Sequence, residues 1–313
     1  MDSEPRMPDR EPVSNTPPQF SIIIAAYDDW GPLDQCLGSL AQQGGAPSFE
    51  AIVVDDGSRE TAPEFIQQWA DHYPLTIVRQ PHSGIPAARN HGVQISKGAT
   101  LVFIDADCKF EANSLAALAS AVTRFPQHGC FQLRIVGDRS RYVGRAEHLR
   151  LTTFQRHVLQ ADGRIRFLNT AGFAIRRSKV DIERGLFNLV ALRGEDTLLL
   201  ADLIQRGELP FYVPDATVQH VITLSLMGCL LKDVRSGYLE ATAYDIIASE
   251  GIRIRTTQRE RLSMMRSMWK ASRENGIGRL AWFVLMVRHS LHRAVSIACR
   301  WLRIRPSSHP TPP

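Results

Sequence analysis

Short apolar runs recur through the first third of the chain, and each breaks off at polar or acidic residues. Residues 20–26, 49–54, 75–78 and 101–104 have the length and β-branched content of buried strands. Segments with helical periodicity follow them, at residues 32–43, 61–72, 86–97 and 113–124. Proline opens the first and third of these, and Gly44-Gly45 stops the first. Strands alternating with helices predict an α/β fold with a doubly wound, mostly parallel sheet and right-handed crossovers. Beyond a strand at 130–136 the pattern weakens. Residues 137–169 carry seven arginines and two histidines with little periodicity and read as irregular. Short strands are expected at 172–175 and 211–213, with a helix at 195–205 between them. From Ser225 onward the pattern is helical, which predicts a C-terminal helical extension.

The chemistry gathers where the apolar runs end. Asp105-Ala-Asp107 follows the run at 101–104. Carboxylates at i and i+2 leave a strand on one face and can close on one hard divalent cation, which in turn suits a diphosphate. Asp55-Asp56-Gly57-Ser58 ends the second strand in the same way. Two such ends predict one ligand site at the carboxyl edge of the sheet. The segment His82 to Asn90 (HSGIPAARN) opens a helix with small residues. A helix start attracts phosphate through its free N–H groups, and Arg89 in the first turn adds a bidentate donor. Gly194-Glu195-Asp196 opens a later helix, where a carboxylate can take a proton from an acceptor hydroxyl. His220 is a candidate further metal ligand. Each element also has a plainer reading. The aspartates can be caps or D-G turns, Arg89 a solvated face, Glu195 and Asp196 charges favoured by a helix dipole, and His220 a structural residue.

Charge sharpens the organisation. The 313 residues carry a net charge of +5, but residues 251–313 hold 13 Lys+Arg against 2 Asp+Glu. The basic excess is confined to the tail, which argues against a nucleic-acid protein and toward an anionic surface such as a membrane leaflet. The apolar stretches at 280–287 and 294–302 are interrupted by Arg288, His289, His292 and Arg293, so they do not read as a spanning helix. They fit either a basic amphipathic helix at a membrane surface or a helix packed on the preceding domain. Five cysteines, an odd number without C-x-x-C spacing, predict free thiols in a reducing compartment. The first residues, rich in proline and charge and without an apolar h-region, read as a disordered tail and not a signal peptide. The expected division is a disordered segment at 1–19, a catalytic domain at 20–222, a basic helical extension at 223–305 and a disordered end at 306–313. The expected location is cytoplasmic, peripheral at the inner face of the plasma membrane if the tail binds lipid.

Taken in order, SIIIAAYDD, IVVDDGS, SGIPAARNHG, LVFIDAD, NTAGFAIRR, GED and a downstream histidine resemble the family 2 inverting nucleotide-sugar glycosyltransferases of the A-type fold, over roughly residues 20–220. The resemblance implies a metal-dependent transfer of one sugar from a nucleotide-sugar, mostly a UDP-sugar, with Mn2+ or Mg2+. It implies that Ala25, Ala26, Tyr27, Asp55 and Asp56 form the nucleoside pocket and that Arg89 meets base or diphosphate. Asp105 would serve ribose and metal, Asp107 would be the firmer metal ligand, and His220 a further one. Asp196 would be the base, with Glu195 beside it, and Ala171, Gly172 and Phe173 would border donor sugar and acceptor. The acceptor would be a glycan or a lipid-linked glycan, and no nucleic acid is implied. Two departures matter. Thr170-Ala171-Gly172 stands where members often carry a glycine pair, and the Q-x-x-R-W signature of processive synthases is missing after Asp196, which favours a single addition. Two rivals are a nucleotidyltransferase, which would carry a Gly-rich basic loop where this chain has Ala26-Tyr27-Asp28-Asp29, and a nucleotide-sugar-binding protein without catalysis.

Overall fold

The apolar runs at 20–26, 49–54 and 101–104 are largely buried on both faces, because helices cover the sheet from either side, whereas the run at 75–78 forms a half-exposed edge strand. The computed structural model describes residues 17–190, 193–221, 225–240, 243, 245–247, 258–274, 278–302 and 304. The expected disordered ends lie outside these residues except for 17–19, and the expected boundary at 222–223 lies outside them as well. The strands are β1 (Phe20–Ala26), β2 (Phe49–Asp55), β3 (Leu75–Arg79), β4 (Thr100–Asp105), β5 (Cys108–Phe110), β6 (Cys130–Gly137), β7 (Phe173–Arg176) and β8 (Phe211–His220). Among the described residues they form one sheet in the order β3-β2-β1-β4-β7-β6-β8-β5.

Alternation along the central strands assigns each side chain to a layer. Ile22, Ile24, Val53, Val102 and Ile104 pack under α1 (Trp30–Ala41) and α4 (Ser114–Arg124), through Leu33, Leu37, Leu115 and Leu118. Ile23, Leu101 and Phe103 point the other way, toward Val93 of α3 (Ile85–Ile95) and Leu199, Leu200 and Leu203 of α6 (Glu195–Gln205). A short helix, α2 (Glu64–Gln67), joins β2 to β3. Gly92 lets α3 lie close on β1, since a Cβ there would stand 2.5 Å from Cγ2 of Ile23. That approach brings the start of α3, with Arg89, against the carboxyl end of the sheet.

The α/β class and the helical extension are as expected, and the sheet is mixed. β3, β2, β1 and β4 run parallel, as do β6 and β8. β7 is antiparallel to both β4 and β6, and β5 is antiparallel to β8. Two local expectations need correcting. Residues 137–169, read as irregular, contain α5 (Tyr142–Val158). Its inward face includes polar groups that blur the periodicity: Glu147 pairs with Arg150, and the Gln155 amide bonds both N–H and C=O of Ile135 on β6. The strand expected at 211–213 runs on to His220, past Pro214, with a register shift opposite Leu133 and Arg134.

The C-terminal helices are α7 (Leu226–Leu239), α8 (Gln258–Glu274) and α9 (Arg279–Trp301). Ala281, Val284 and Leu285 of α9 and Met268 of α8 close on Ala146 and Leu149 of α5. Arg288 of α9 forms a bidentate pair with Asp233 of α7, at 2.7 and 2.9 Å. The inner face of the extension is therefore packed on the α/β unit. All five cysteines are free and buried. Among the described residues no helix is long and apolar enough to cross a membrane.

Phe103 is fully buried, stacked on Phe173 and edge-on to Phe187. Phe103→Ala is expected to lower the unfolding free energy by about 3–5 kcal/mol in urea denaturation. A loss below about 1 kcal/mol would contradict the core described here.

Candidate active site

Register assembles the site. Ala25 of β1 lies opposite Asp105 of β4, and Ala26 opposite Asp55 of β2, so three strand ends finish side by side. Asp55 caps the turn after β2 by accepting from Ser58 N at 2.8 Å. Asp56 faces the next loop, where its carboxylate accepts from Ser83 N at 2.9 Å, Gly84 N at 2.8 Å and the Gln80 side chain at 2.8 Å. The His82 ring lies 2.9 Å from the same carboxylate and packs against Tyr27 in a tilted pair, centroid to centroid 4.5 Å. Asp56 thus holds the loop that starts α3. Asp28, beside Tyr27, adopts φ 56°, a left-handed conformation uncommon outside glycine. Arg59 holds it there through both its backbone N–H and its guanidinium.

Arg89 is turned inward, and only 3% of it is exposed, which excludes a solvated face. Its Nη2 donates to Oδ1 of Asp105 at 2.6 Å and its Nη1 to Oε1 of Glu195 at 2.5 Å. Its guanidinium carbon sits 5.5 Å from the ring centre of Phe187. Arg89, expected to meet base or diphosphate, here bridges β4 and α6. A buried guanidinium demands such partners, because an unpaired charge there is strongly unfavourable. Asn90, the next residue, accepts from Leu186 N and Phe187 N and donates to Phe187 O, which fixes Phe187 beneath the bridge.

Pairing of β5 with β8 sets Cys108 opposite His220 and carries Asp107 beside that histidine. Oδ2 of Asp107 lies 3.1 Å from Nε2 of His220, across 113 positions of sequence. Asp107 is therefore neither a cap of α4 nor idle, and its side chain remains 32% exposed. Burial opposes its ionisation, but His220 and Lys232 outweigh that and hold the carboxyl down at about 2. His220 shifts the opposite way: burial lowers it, and the Asp107 charge more than restores it. Donor atoms of Asp107, Cys108 and His220 lie within 4.8 Å of one another. A carboxylate and an imidazole facing one another, partly open to solvent, fit a hard or borderline divalent cation. Asp105 stands apart from that cluster, with one oxygen committed to Arg89.

Gly194 takes φ 89° and turns the chain into α6, so that Glu195 and Asp196 emerge in its first turn. The two carboxyls differ sharply. Burial opposes ionisation of Glu195, yet the Arg89 contact holds it below its ordinary value. Asp196 is pushed up to about 7, by burial first and then by the charges of Glu195 and Glu240. Its Oδ1 accepts from Thr197 N at 2.7 Å, so dipole and local bonding contribute, but the group stays partly exposed. Ala171 and Gly172 are buried in a short 3-10 turn after Asn169. Phe173, expected at the sugar, is instead fully buried in the core against Phe103.

Three contributors had no signal in the sequence. Asp29, before α1, is pushed up to about 6 by burial and by the nearby Asp107 charge. Lys232 of α7 counteracts this and acts on Asp107 and His220 as well. Glu240, at the end of α7, faces Asp196 and is held by His292 of α9 at 3.2 Å and by Arg193 at 3.7 Å. All three depend on where the chain returns in space.

Comparison with known proteins bears on what this geometry serves. The family model described as Glycosyl transferase family 2 matches residues 21–185. The glycosyltransferase AglE of Haloferax volcanii is 33% identical over 99 residues, covering 31% of this chain and 33% of that protein. A validoxylamine A glucosyltransferase of Streptomyces hygroscopicus subsp. limoneus is 35% identical over 91 residues, covering 28% and 20%. Each of these alignments spans about a third of the relative's length or less. Among solved structures, S. aureus TarS 1–349 in complex with UDP superposes with a TM-score of 0.55 at 16% identity, covering 90% of this chain and 91% of that one. The mannosyltransferase PcManGT from Pyrobaculum calidifontis, in complex with GDP-Man and Mn2+, gives 0.55 at 17% identity, covering 92% and 79%. At such identities the likeness is one of fold.

The bridge makes its own prediction. Arg89→Ala leaves Glu195 and Asp105 without their counter-charge and is expected to cost about 3–5 kcal/mol in urea unfolding at pH 7. An unchanged midpoint would mean that the bridge is not formed.

Proposed function

The chain belongs to glycosyl transferase family 2, and from that premise we propose that it moves one sugar from a nucleotide-sugar to an acceptor hydroxyl in a single displacement that inverts the anomeric centre. The observation that carries this reading is the buried bridge in which Arg89 joins Asp105, at a strand end, to Glu195, next to the candidate base. It ties the strand end that leads to Asp107 to the turn that carries Asp196, which supports reading the two as parts of one site.

Asp196 is the base in this scheme. A carboxyl poised at about 7 and partly open to solvent can take the acceptor's proton as the new bond forms. Glu195, fully engaged with Arg89, orients the turn and raises its neighbour without receiving the proton itself. Ala25, Ala26 and Tyr27 border the nucleotide, with Asp55 and Asp56 shaping the loops around it. Asp107 and His220 would hold Mn2+ or Mg2+, and an ion bound there supplies positive charge to offset the departing diphosphate. A UDP-sugar donor accords with the family's usual substrates, and a glycan or lipid-linked acceptor would suit a basic tail lying at a membrane surface. Residues 20–222 would be the catalytic unit and 223–305 the extension packed upon it.

A thermal-shift and donor-hydrolysis screen across nucleotide-sugars tests the reading. One UDP-sugar with Mn2+ is expected to raise the Tm and be hydrolysed slowly, with the effect lost in EDTA. A flat response to every donor would oppose it. Asp107→Ala and Asp196→Asn are each expected to lower turnover on the order of 10²-fold or more. Near-normal transfer by Asp196→Asn would remove the base assignment.

The pH dependence has a definite sign. Transfer should rise with pH through a midpoint near 7, as Asp196 loses its proton. Glu240→Gln removes one of the charges that hold the group up, so the acid limb should move to lower pH. Stability runs oppositely. The folded Asp196 carboxyl lies above its ordinary value of 3.8, so its contribution is complete below that value and is lost as pH rises through 7. Asp196→Asn should therefore unfold later than the parent at pH 8, with the difference closing toward pH 4.

A further inference from the structure

The inner faces of α8 and α9 are packed, but their outer faces present a surface that the transfer reaction does not use. On α9, Leu280, Phe283 and Val287, and two turns later Ala294, Ile297 and Trp301, recur at three- and four-residue spacing and are all exposed, Phe283 by 59% and Trp301 by 82%. They form one apolar stripe along the helix, directed away from Ala281, Val284 and Leu285, which face α5. On α8 the outer face mixes apolar and cationic groups. Leu262, Met265 and Trp269 are exposed between the exposed Arg259, Arg266 and Arg273. The two faces meet where the guanidinium of Arg279 lies 5.4 Å from the ring centre of Trp269. Arg273 and Arg279 also line a cleft of about 340 Å³ there, together with Ser272 and Gly278.

We propose that this combined face of α8 and α9 docks on an anionic lipid bilayer, with the apolar stripe of α9 entering the headgroup–acyl boundary and the arginines of α8 resting on lipid phosphates. Charge complementarity selects the occupant. The exposed arginines of this face are Arg259, Arg266, Arg273 and Arg279, so a second copy of it would set arginine against arginine, whereas an anionic leaflet neutralises it. A stripe of Phe, Trp and Leu beside arginines is the composition of helices that lie in the membrane plane. The aliphatic part of arginine can cover apolar surface while its head reaches phosphate. No described helix is suited to spanning, which fits surface attachment.

The full chain should be centrifuged with vesicles of pure phosphatidylcholine and with vesicles of phosphatidylcholine mixed with anionic phosphatidylglycerol. Binding is expected to the anionic vesicles alone and to weaken with added salt. Arg266→Ala with Arg273→Ala should lower the partition on the order of 25-fold, at about 1 kcal/mol for each basic residue near the surface. Phe283→Ser with Trp301→Ser should lower it about tenfold or more, with an unchanged Tm showing that the fold is intact. Equal binding to neutral vesicles, or variants that bind like the parent, would overturn the proposal. So would a concentration-dependent dimer that Phe283→Ser abolishes in a chain that ignores vesicles. These outcomes are separate from the proposed transfer, because donor hydrolysis in free solution can be followed on the same samples.

Discussion

One buried guanidinium governs the organisation of this protein. Arg89 lies almost wholly out of water, and its charge is acceptable there only because Asp105 and Glu195 both reach it. Satisfying it ties together α3, the end of the next strand β4 and the start of α6, 106 positions along the chain. Asn90 extends the tie to the segment that carries Phe187 beneath the guanidinium. Within that frame two consecutive carboxyls take opposite characters. Glu195 is held ionised by Arg89, and its charge then disfavours ionisation of Asp196. Pushing neighbouring titratable groups apart is how a site obtains a carboxylate suited to proton transfer near neutrality.

A second constraint comes from strand pairing. The parallel register of β1, β2 and β4 brings the acidic strand ends to one edge, and the antiparallel pairing of β5 with β8 returns His220 to Asp107. The cation-binding candidates and the candidate proton acceptor therefore sit on different parts of the framework. The C-terminal helices are linked to both. Lys232 of α7 acts on Asp107, while Glu240 of the same helix acts on Asp196 and is held by His292 of α9. Through these contacts the extension sets the charge around the site as well as covering α5.

Much of this was legible in the sequence because it is local. Buried parallel strands need unbroken apolar runs, and a site at their carboxyl ends needs polar residues just after them, so β1, β2, β4 and the motifs at Asp55, Asp105 and Glu195 could be located by eye. The match of residues 21–185 to the family follows the same stretch. Most of what escaped was non-local. α5 hid its inner face behind Glu147 and Gln155, whose partners lie on Arg150 and on Ile135 of β6. The inward turn of Arg89 could not be foreseen, since a helix start with arginine looks the same whether it meets a ligand or a buried carboxylate. Phe173 went to the core because β7 pairs with β4 and lays its ring against Phe103. Asp29, Lys232 and Glu240 carry no motif and acquire their influence only from proximity.

In the proposed reaction Asp196, beside the Arg89 bridge, is the one proton acceptor of a single displacement. A single displacement must reverse the configuration at the anomeric carbon, whereas two successive displacements restore it. The most direct measurement is the ¹H NMR coupling at that carbon in the first product formed from an α-linked nucleotide-sugar, recorded before any spontaneous equilibration. The β configuration is the predicted result. An α-configured product would contradict the account.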